Sequence, residues 1–139
     1  MTESQAEPTE ELSEEQCWEF LAKATTGRLA VAIGDHPDIF PINHVVDDDV
    51  IVFRTDPGTK LAAAVLGTGV AYEVDHTDLE AGVAWSVVVK GQARELHTTE
   101  EMVRAEDLPL FPWETGSKHH YVAITAEEIT GRRFHAPSE

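Results

Sequence analysis

The sequence predicts a mainly β fold with short helices, in which the strands form a barrel. Apolar segments of strand length recur between residues 28 and 97, and tight turns such as GDHPD and DDD separate them. Strands at such regular short spacing favour a barrel over a parallel sheet. The chain has 139 residues, of which 42 % are hydrophobic, and this suffices for one globular domain.

The N-terminal region is predicted to contain a tail and one amphipathic helix. Residues 1–12 are polar and acidic, so we expect a mobile tail ahead of one domain over 13–135. The helix is predicted to begin after Ser13, which has Gln16 three residues later for a capping box, and to end at Gly27. Its apolar face carries Cys17, Phe20, Leu21 and Ala24.

The rest of the chain is predicted to be mostly strands. We expect strands over 28–33, 39–46, 50–55, 70–75, 83–97 and 120–134, the last segment forming one or two strands. The first three read as an antiparallel meander. Short helices are predicted over 58–66 and 98–105, and a loop rich in proline over 108–117. Gly91, inside the long strand, predicts a bulge or bend.

Composition excludes several classes of protein. The net charge of −16 repels nucleic acid phosphates and anionic membranes, so neither is an expected partner. The apolar runs are far shorter than the roughly 18 residues of a membrane helix. Cys17 is the single cysteine, which excludes an internal disulfide framework and a cysteine-only metal site. We therefore expect a cytoplasmic protein without a metal site.

Two cations and two hydroxyls gather where a predicted strand gives way to a predicted helix. Arg54 and Thr55 precede the Pro57–Gly58 turn, and Thr59 and Lys60 follow it. The start of a helix exposes backbone N–H groups and binds phosphate well. A lysine in the first turn opposes the helix dipole, and a bound dianion would explain it. The alternative is that both cations are solvated surface residues.

Polar residues also interrupt the apolar strand FPINHVV. Pro41, Ile42, Asn43 and His44 would offer a flat heteroaromatic ring an amide at its polar edge and apolar contacts on its faces. Pro41 removes a backbone donor, which suits a ladder that opens toward a ligand. The alternative is an ordinary ladder asparagine and a half-buried histidine. Trp85 and Ser86 start the long strand, where a tryptophan can serve the core, an interface or a cofactor wall.

The order and spacing of these segments resemble a known family. GRLAV, PDIFPINHVV, VIVFRTDPGTKLAAAV, VAYEVD and GVAWSVVVKGQARELH follow one another as in the pyridoxamine 5′-phosphate oxidase-like, FMN-binding split-barrel proteins, especially the small actinobacterial-type members. The likeness runs from Gly27 to Phe134. It implies a split β-barrel that forms a homodimer, with FMN in a groove at the dimer interface.

The resemblance also implies roles for the candidate residues. Arg54, Thr55, Thr59 and Lys60 would hold the FMN phosphate, and Pro41, Ile42, Asn43 and His44 would run along the isoalloxazine ring. Trp85, Ser86 and Val87 would line the ring or the ribityl chain, and Pro112 and Trp113 would reach the interface. His44 is the candidate for a protonic role near the ring, because a histidine pKa can cross neutrality.

The expected activity is FMN-dependent hydride or electron transfer to or from an unidentified small molecule. Vitamin B6 oxidation is not implied, because Arg132, Arg133 and His135 lack the spacing of the family's substrate-phosphate site. Three alternatives stay open. They are a reductase that uses a deazaflavin coenzyme, a non-catalytic flavin- or heme-binding protein, and a dimeric scaffold without a ligand.

Overall fold

The computed structural model describes residues 9–55, 69–109 and 120–136. Two helices and seven strands lie in these ranges, which confirms the mainly β prediction. They are β1 (Thr9–Glu11), α1 (Glu14–Lys23), β2 (Thr26–Ile33), β3 (His36–Val46), β4 (Val50–Thr55), β5 (Gly69–Asp78), β6 (Val83–Glu95), α2 (Thr99–Glu106) and β7 (His120–His135). The helix predicted over 58–66 and most of the loop over 108–117 lie outside the described residues.

The strands form one antiparallel sheet that closes on itself. Their order is β1-β7-β4-β3-β2-β5-β6, and β6 also pairs with β7. Six strands therefore close a barrel, and the predicted meander of β2, β3 and β4 is confirmed. One edge of β7 pairs with β6, while the other edge pairs with β4 through 120–125 and with β1 through 132–134.

Side chains that alternate between the two faces of each strand fill the barrel. Every second residue points inward, as the two-residue period of a strand requires. The fully buried residues of this core include Leu29, Ile51, Phe53, Tyr72, Val74, Val87, Val89 and Ile124. Complete burial of one such side chain stabilises the fold by about 1.5–3 kcal/mol. The core is therefore the main source of stability, and it sets which residues of each strand face outward.

Helix α1 lies against the barrel and adds Cys17 and Leu21 to its core. The predicted capping box is confirmed. The Gln16 backbone N–H donates to Ser13 Oγ at 3.1 Å, and the Ser13 backbone N–H donates to Gln16 Oε1 at 2.9 Å. With 10 residues, α1 is the longest helix described, and no helix in the described ranges is long and apolar enough to cross a membrane.

Two predictions about the N-terminal region are wrong. Residues 9–11 do not belong to a separate tail, because they pair with β7, and Leu12 is buried beside Gly131. Helix α1 ends at Lys23 with Ala24 as its C-cap, whereas Gly27 lies inside β2. A Cβ atom on Gly27 would come within 2.5 Å of Tyr72 Cζ, so packing against Tyr72 explains this glycine better than helix termination.

The bulge predicted at Gly91 is confirmed. The register between β6 and β7 shifts between Lys90 and Gly91. A Cβ atom on Gly91 would lie only 1.9 Å from the backbone oxygen of Thr125. The bulge therefore brings the two strands so close that the position accepts no side chain.

Candidate functional site

The barrel opens between β3 and β4. Their ladder runs from Val46↔Ile51 to His44↔Phe53 and then stops. Among the described residues, positions 36–43 of β3 pair with β2 alone. Beyond the last shared rung, β4 continues with Arg54 and Thr55, which pair with β7. The backbone of 41–43 and the end of β4 thus flank an opening, as the proline in FPINHVV suggested.

The two faces of β3 divide the predicted ring-contacting residues. Ile42 and His44 point into the barrel and are buried, while Pro41 and Asn43 lie on the outer face. Asn43 is half-buried, and its Oδ1 accepts a hydrogen bond of 2.9 Å from the Thr26 hydroxyl. A ligand at the opening would therefore meet Pro41, Asn43 and the strand backbone, but not the side chains of Ile42 and His44.

His44 belongs to the core. Its side chain bonds at both ring nitrogens, with Nε2 2.9 Å from the Leu21 carbonyl oxygen and Nδ1 2.5 Å from the Tyr72 hydroxyl. A carbonyl can only accept, so Nε2 carries the proton and Nδ1 accepts from Tyr72. Burial lowers the pKa of His44, against the opposing effect of the Leu21 bond, and this favours the neutral ring. The geometry supports a structural role, and the protonic role stays a prediction.

The residues predicted to hold a phosphate fall partly within the structure. Arg54 is half-buried, and Thr55 is buried at the end of β4. Both make further contacts inside the protein. Thr59 and Lys60 lie outside the described residues, as do Pro112 and Trp113. The structure thus places Arg54 and Thr55 next to the opening, and the four-residue phosphate site stays a prediction.

The three candidates on β6 do not share one face. Val87 is fully buried in the core, so its side chain cannot reach a ligand on the outer face. Trp85 stacks on Phe20 of α1, with ring centroids 4.6 Å apart and planes 12° from parallel. Ser86 points to the outer face, away from the face that carries Trp85 and Val87. In the ladders it pairs with Asp75 on β5 and with Arg132 on β7.

Ser86 and Asn43 lie on the same outer face but far apart within one chain. Asn43 pairs with Thr26 on β2, and Ser86 pairs with Asp75 on β5. Continuing the ladder between β2 and β5 by two residues brings Thr26 level with Asp75. Three strand spacings of about 4.8 Å then separate Asn43 from Ser86 by about 14 Å along the sheet. One chain therefore does not bring the two predicted groups together.

An ion-pair cluster occupies the outer face beside Pro41. Arg28, which pairs with Pro41 in the ladder, donates to Glu73 at 2.7 Å and to Asp75 at 2.9 Å. Burial and the neighbouring Asp75 raise the pKa of Glu73, whereas the hydrogen bond from Glu73 and the charge of Arg28 lower the pKa of Asp75. Two carboxylates thus already compensate the positive charge of Arg28, so Arg28 is not a candidate for binding an anionic ligand.

The C-terminal arginine–histidine residues have structural contacts. The Arg133 guanidinium donates to both carboxylate oxygens of Glu10, at 3.2 and 3.0 Å, and lies 6.0 Å from the centre of the Phe20 ring. His135 Nε2 lies 3.4 Å from Glu10. The bonds from Arg133 and His135 lower the pKa of Glu10. These contacts tie β7 to β1 and give Arg133 and His135 a structural role.

The sequence analysis missed Tyr72. This residue is fully buried, and its hydroxyl donates to Nδ1 of His44 on β3. A signal was present, because alternation along VAYEVD puts Tyr72 on the inward face with two valines. A buried tyrosine needs a partner for its hydroxyl, and the inward polar residue available on β3 is His44.

Known proteins resemble this chain over most of its length. The family model for pyridoxamine 5′-phosphate oxidase matches residues 13–133. An uncharacterized protein of Mycobacterium tuberculosis is 36% identical over 133 residues, which cover 92% of this chain and 87% of that protein.

Two solved structures show the same likeness in three dimensions. The FAD binding protein from Mycobacterium smegmatis superimposes with a TM-score of 0.85 at 36% identity, covering 92% of this chain and 100% of that one. A conserved protein of unknown function from Corynebacterium diphtheriae gives a TM-score of 0.79 at 34% identity, covering 92% and 99%.

Proposed function

This chain belongs to the pyridoxamine 5′-phosphate oxidase family and has its split-barrel fold, and we propose that it is a flavin-dependent oxidoreductase of a small molecule. The observation that carries the proposal is the likeness, over 92% of the chain, to a protein described as FAD-binding. The opening between β3 and β4 supports it, because Arg54 and Thr55 lie beside a stretch of β3 that, among the described residues, pairs with β2 on one side and has no ladder to β4 on the other.

The residues around the opening fit the flavin ring and the phosphate, which FMN and FAD share. A guanidinium and a hydroxyl suit a phosphate, and a strand backbone with Asn43 suits the polar edge of a flat ring. Arg54, Thr55, Thr59 and Lys60 would hold the phosphate, and Pro41 and Asn43 would contact the ring. The resemblance implied FMN, whereas the Mycobacterium smegmatis protein is described as FAD-binding, so the proposal concerns this shared part.

When bound, the flavin supplies the hydride and electron chemistry. The task of this chain is then to bind and orient the ring and to limit its contact with water. His44 has no step in this proposal, because its ring nitrogens bond within the core. The backbone at the opening and the outward side chains of β3 would set which face of the ring a small substrate can approach.

A second copy of the chain completes the proposed groove. Within one chain, about 14 Å of sheet separate Asn43 from Ser86. A homodimer would let one subunit supply Pro41, Asn43 and Arg54 while the other supplies Ser86. The outer surface near the opening is suited to such a contact, because Ile39, two residues from Pro41 on the same face of β3, is 66% exposed.

A second candidate function is flavin binding without turnover. The name of the Mycobacterium smegmatis protein favours it, because that name states binding and no reaction. In this case the protein would store or sense a flavin. The same groove would be used, so a binding measurement alone does not separate the two functions.

Turnover separates the two candidates. We expect the flavin-loaded protein, with NADH or NADPH and a quinone or nitroaromatic acceptor, to reduce the acceptor faster than free flavin at equal concentration. The flavin-free protein serves as the control. A rate equal to that of free flavin across this set of donors and acceptors, with flavin still bound, would favour the non-catalytic function.

A further inference from the structure

A buried polar cluster lies directly behind the opening between β3 and β4. It consists of Tyr72 on β5, His44 on β3 and the carbonyl oxygens of Leu21 and Ile42. The Tyr72 hydroxyl lies 2.5 Å from His44 Nδ1 and 3.3 Å from the Ile42 oxygen. His44 Nε2 completes the cluster with its 2.9 Å bond to Leu21 at the end of α1. The side chains of Tyr72 and His44 therefore connect three elements of the fold, α1, β3 and β5.

Each polar group of this cluster has a defined role. The Leu21 carbonyl accepts from His44 Nε2, which leaves the Nδ1 lone pair for the Tyr72 hydroxyl. The Tyr72 hydroxyl has one proton, which it donates to Nδ1, and the Ile42 oxygen lies at the far limit of hydrogen-bond distance. Burial raises the pKa of Tyr72, so the hydroxyl keeps its proton.

Gly27 provides the space for this arrangement. A Cβ atom there would lie 2.6 Å from the Tyr72 hydroxyl oxygen and 2.7 Å from the backbone oxygen of Glu73. Gly27 also pairs with Ile42 in the ladder between β2 and β3. Because Gly27 has no side chain, Tyr72 can pass beneath β2, which lies between β5 and β3, and reach β3.

We infer that Tyr72 is a positioning residue for the edge of β3 that the proposed flavin contacts. Residues 41–43 have no ladder bonds to β4 in the described structure, so one side of this backbone lacks its usual support. The Tyr72–His44 pair holds the same backbone from inside the barrel, next to Pro41 and Asn43. The consequence for flavin binding rests on the proposed function, whereas the effect on the strand does not.

The test compares Tyr72→Phe with Val74→Ala. Tyr72→Phe removes one oxygen atom and keeps the ring. Val74→Ala is the matched control, because Val74 is fully buried two residues further along the same face of β5 and makes no polar contact with β3. Both variants are first shown to be folded by circular dichroism. Amide hydrogen exchange is then measured over residues 39–46 without flavin, with residues 121–125 of β7, which do not pair with β5, as the internal reference.

The expected result is local loosening in one variant only. In Tyr72→Phe, exchange over 39–46 should become about tenfold faster relative to 121–125, because a buried hydrogen bond of typical strength is lost. In Val74→Ala the ratio between the two segments should stay as in the wild type. The same ratio in both variants would overturn the inference, because Tyr72 would then contribute only to overall stability.

Flavin titration provides the second readout. We expect Tyr72→Phe to bind FAD and FMN about tenfold more weakly than the wild type, and Val74→Ala to bind them with unchanged affinity. Equal affinity in the two variants would overturn the positioning role even if exchange is faster. If the wild type binds no flavin, the proposed function fails, and the exchange experiment alone decides whether Tyr72 holds the strand.

Discussion

Gly91→Ala is expected to lower the free energy of unfolding by about 3 kcal/mol or more, which is a large fraction of the roughly 5–15 kcal/mol that stabilises a typical domain. The added Cβ atom would lie 1.9 Å from the Thr125 backbone oxygen and 2.9 Å from its carbonyl carbon. Both atoms belong to the backbone of β7, so no side chain can rotate away to make room. Relief requires that β6 and β7 separate at the bulge, which would break ladder hydrogen bonds.

Gly69→Ala is the matched control for this prediction. Gly69 lies one rung away in the ladder between β5 and β6, and a Cβ atom there would meet nothing closer than 3.6 Å. This substitution should be neutral or should stabilise the protein by about 0.5 kcal/mol, because alanine restricts the unfolded chain. Urea denaturation of the three proteins provides the measurement. Equal midpoints for Gly91→Ala and Gly69→Ala would show that the close approach of β6 and β7 is wrong.

Lys60→Ala is expected to weaken flavin binding by about 10- to 100-fold. A charge-assisted hydrogen bond to a phosphate contributes about 1.5–3 kcal/mol, which corresponds to this range. The prediction rests on the sequence, in which Lys60 follows Thr59 at the start of the predicted helix, and on the placement of Arg54 and Thr55 beside the opening. Lys60 itself lies outside the described residues.

Lys23→Ala controls for the loss of one positive charge from a chain of net charge −16. Lys23 is exposed in the last turn of α1 and has no role in the proposed site. Titration of both variants and the wild type with FAD, followed by flavin fluorescence, gives the dissociation constants. Binding that weakens equally in both variants would point to a general effect of charge, and unchanged binding by Lys60→Ala would remove Lys60 from the proposed phosphate site.

Local patterns predicted local features of this fold correctly. The Ser13–Gln16 capping box depends on residues three positions apart, and the meander of β2, β3 and β4 follows from short strands joined by tight turns. The bulge at Gly91 was also recognisable, because a glycine weakens the interior of a strand and often marks a bulge there. Each of these features is determined within a few residues of the chain.

Contacts between distant segments could not be predicted in the same way. Residues 9–11 read as a tail because they are polar and acidic, yet Glu10 pairs with Arg133 near the other end of the chain. Gly27 comes shortly after a helix and resembled its C-cap. In the structure it packs against Tyr72 on β5, and β3 and β4 lie between the two residues along the chain. Such pairings depend on the register of the closed barrel, which the sequence pattern does not determine.

The candidate site was predictable only in part for the same reason. Pro41, Asn43, Arg54 and Thr55 lie near the ends of two sequential strands, so the meander brings them to one opening. The distance from that opening to Ser86 depends on the order of the intervening strands. The core role of His44 depends on Tyr72 and Leu21, neither of which is close to His44 in sequence.

The central claim is that this chain binds a flavin, and the most direct test is the visible absorption spectrum of the purified protein. The spectrum is recorded before and after incubation with FAD or with FMN, each followed by desalting. We predict a retained flavin double band at about one flavin per subunit, and chromatography of the released cofactor identifies which flavin it is. A retained single band at shorter wavelength would indicate a deazaflavin, and a Soret band would indicate heme. No retained colour after either incubation would contradict the claim.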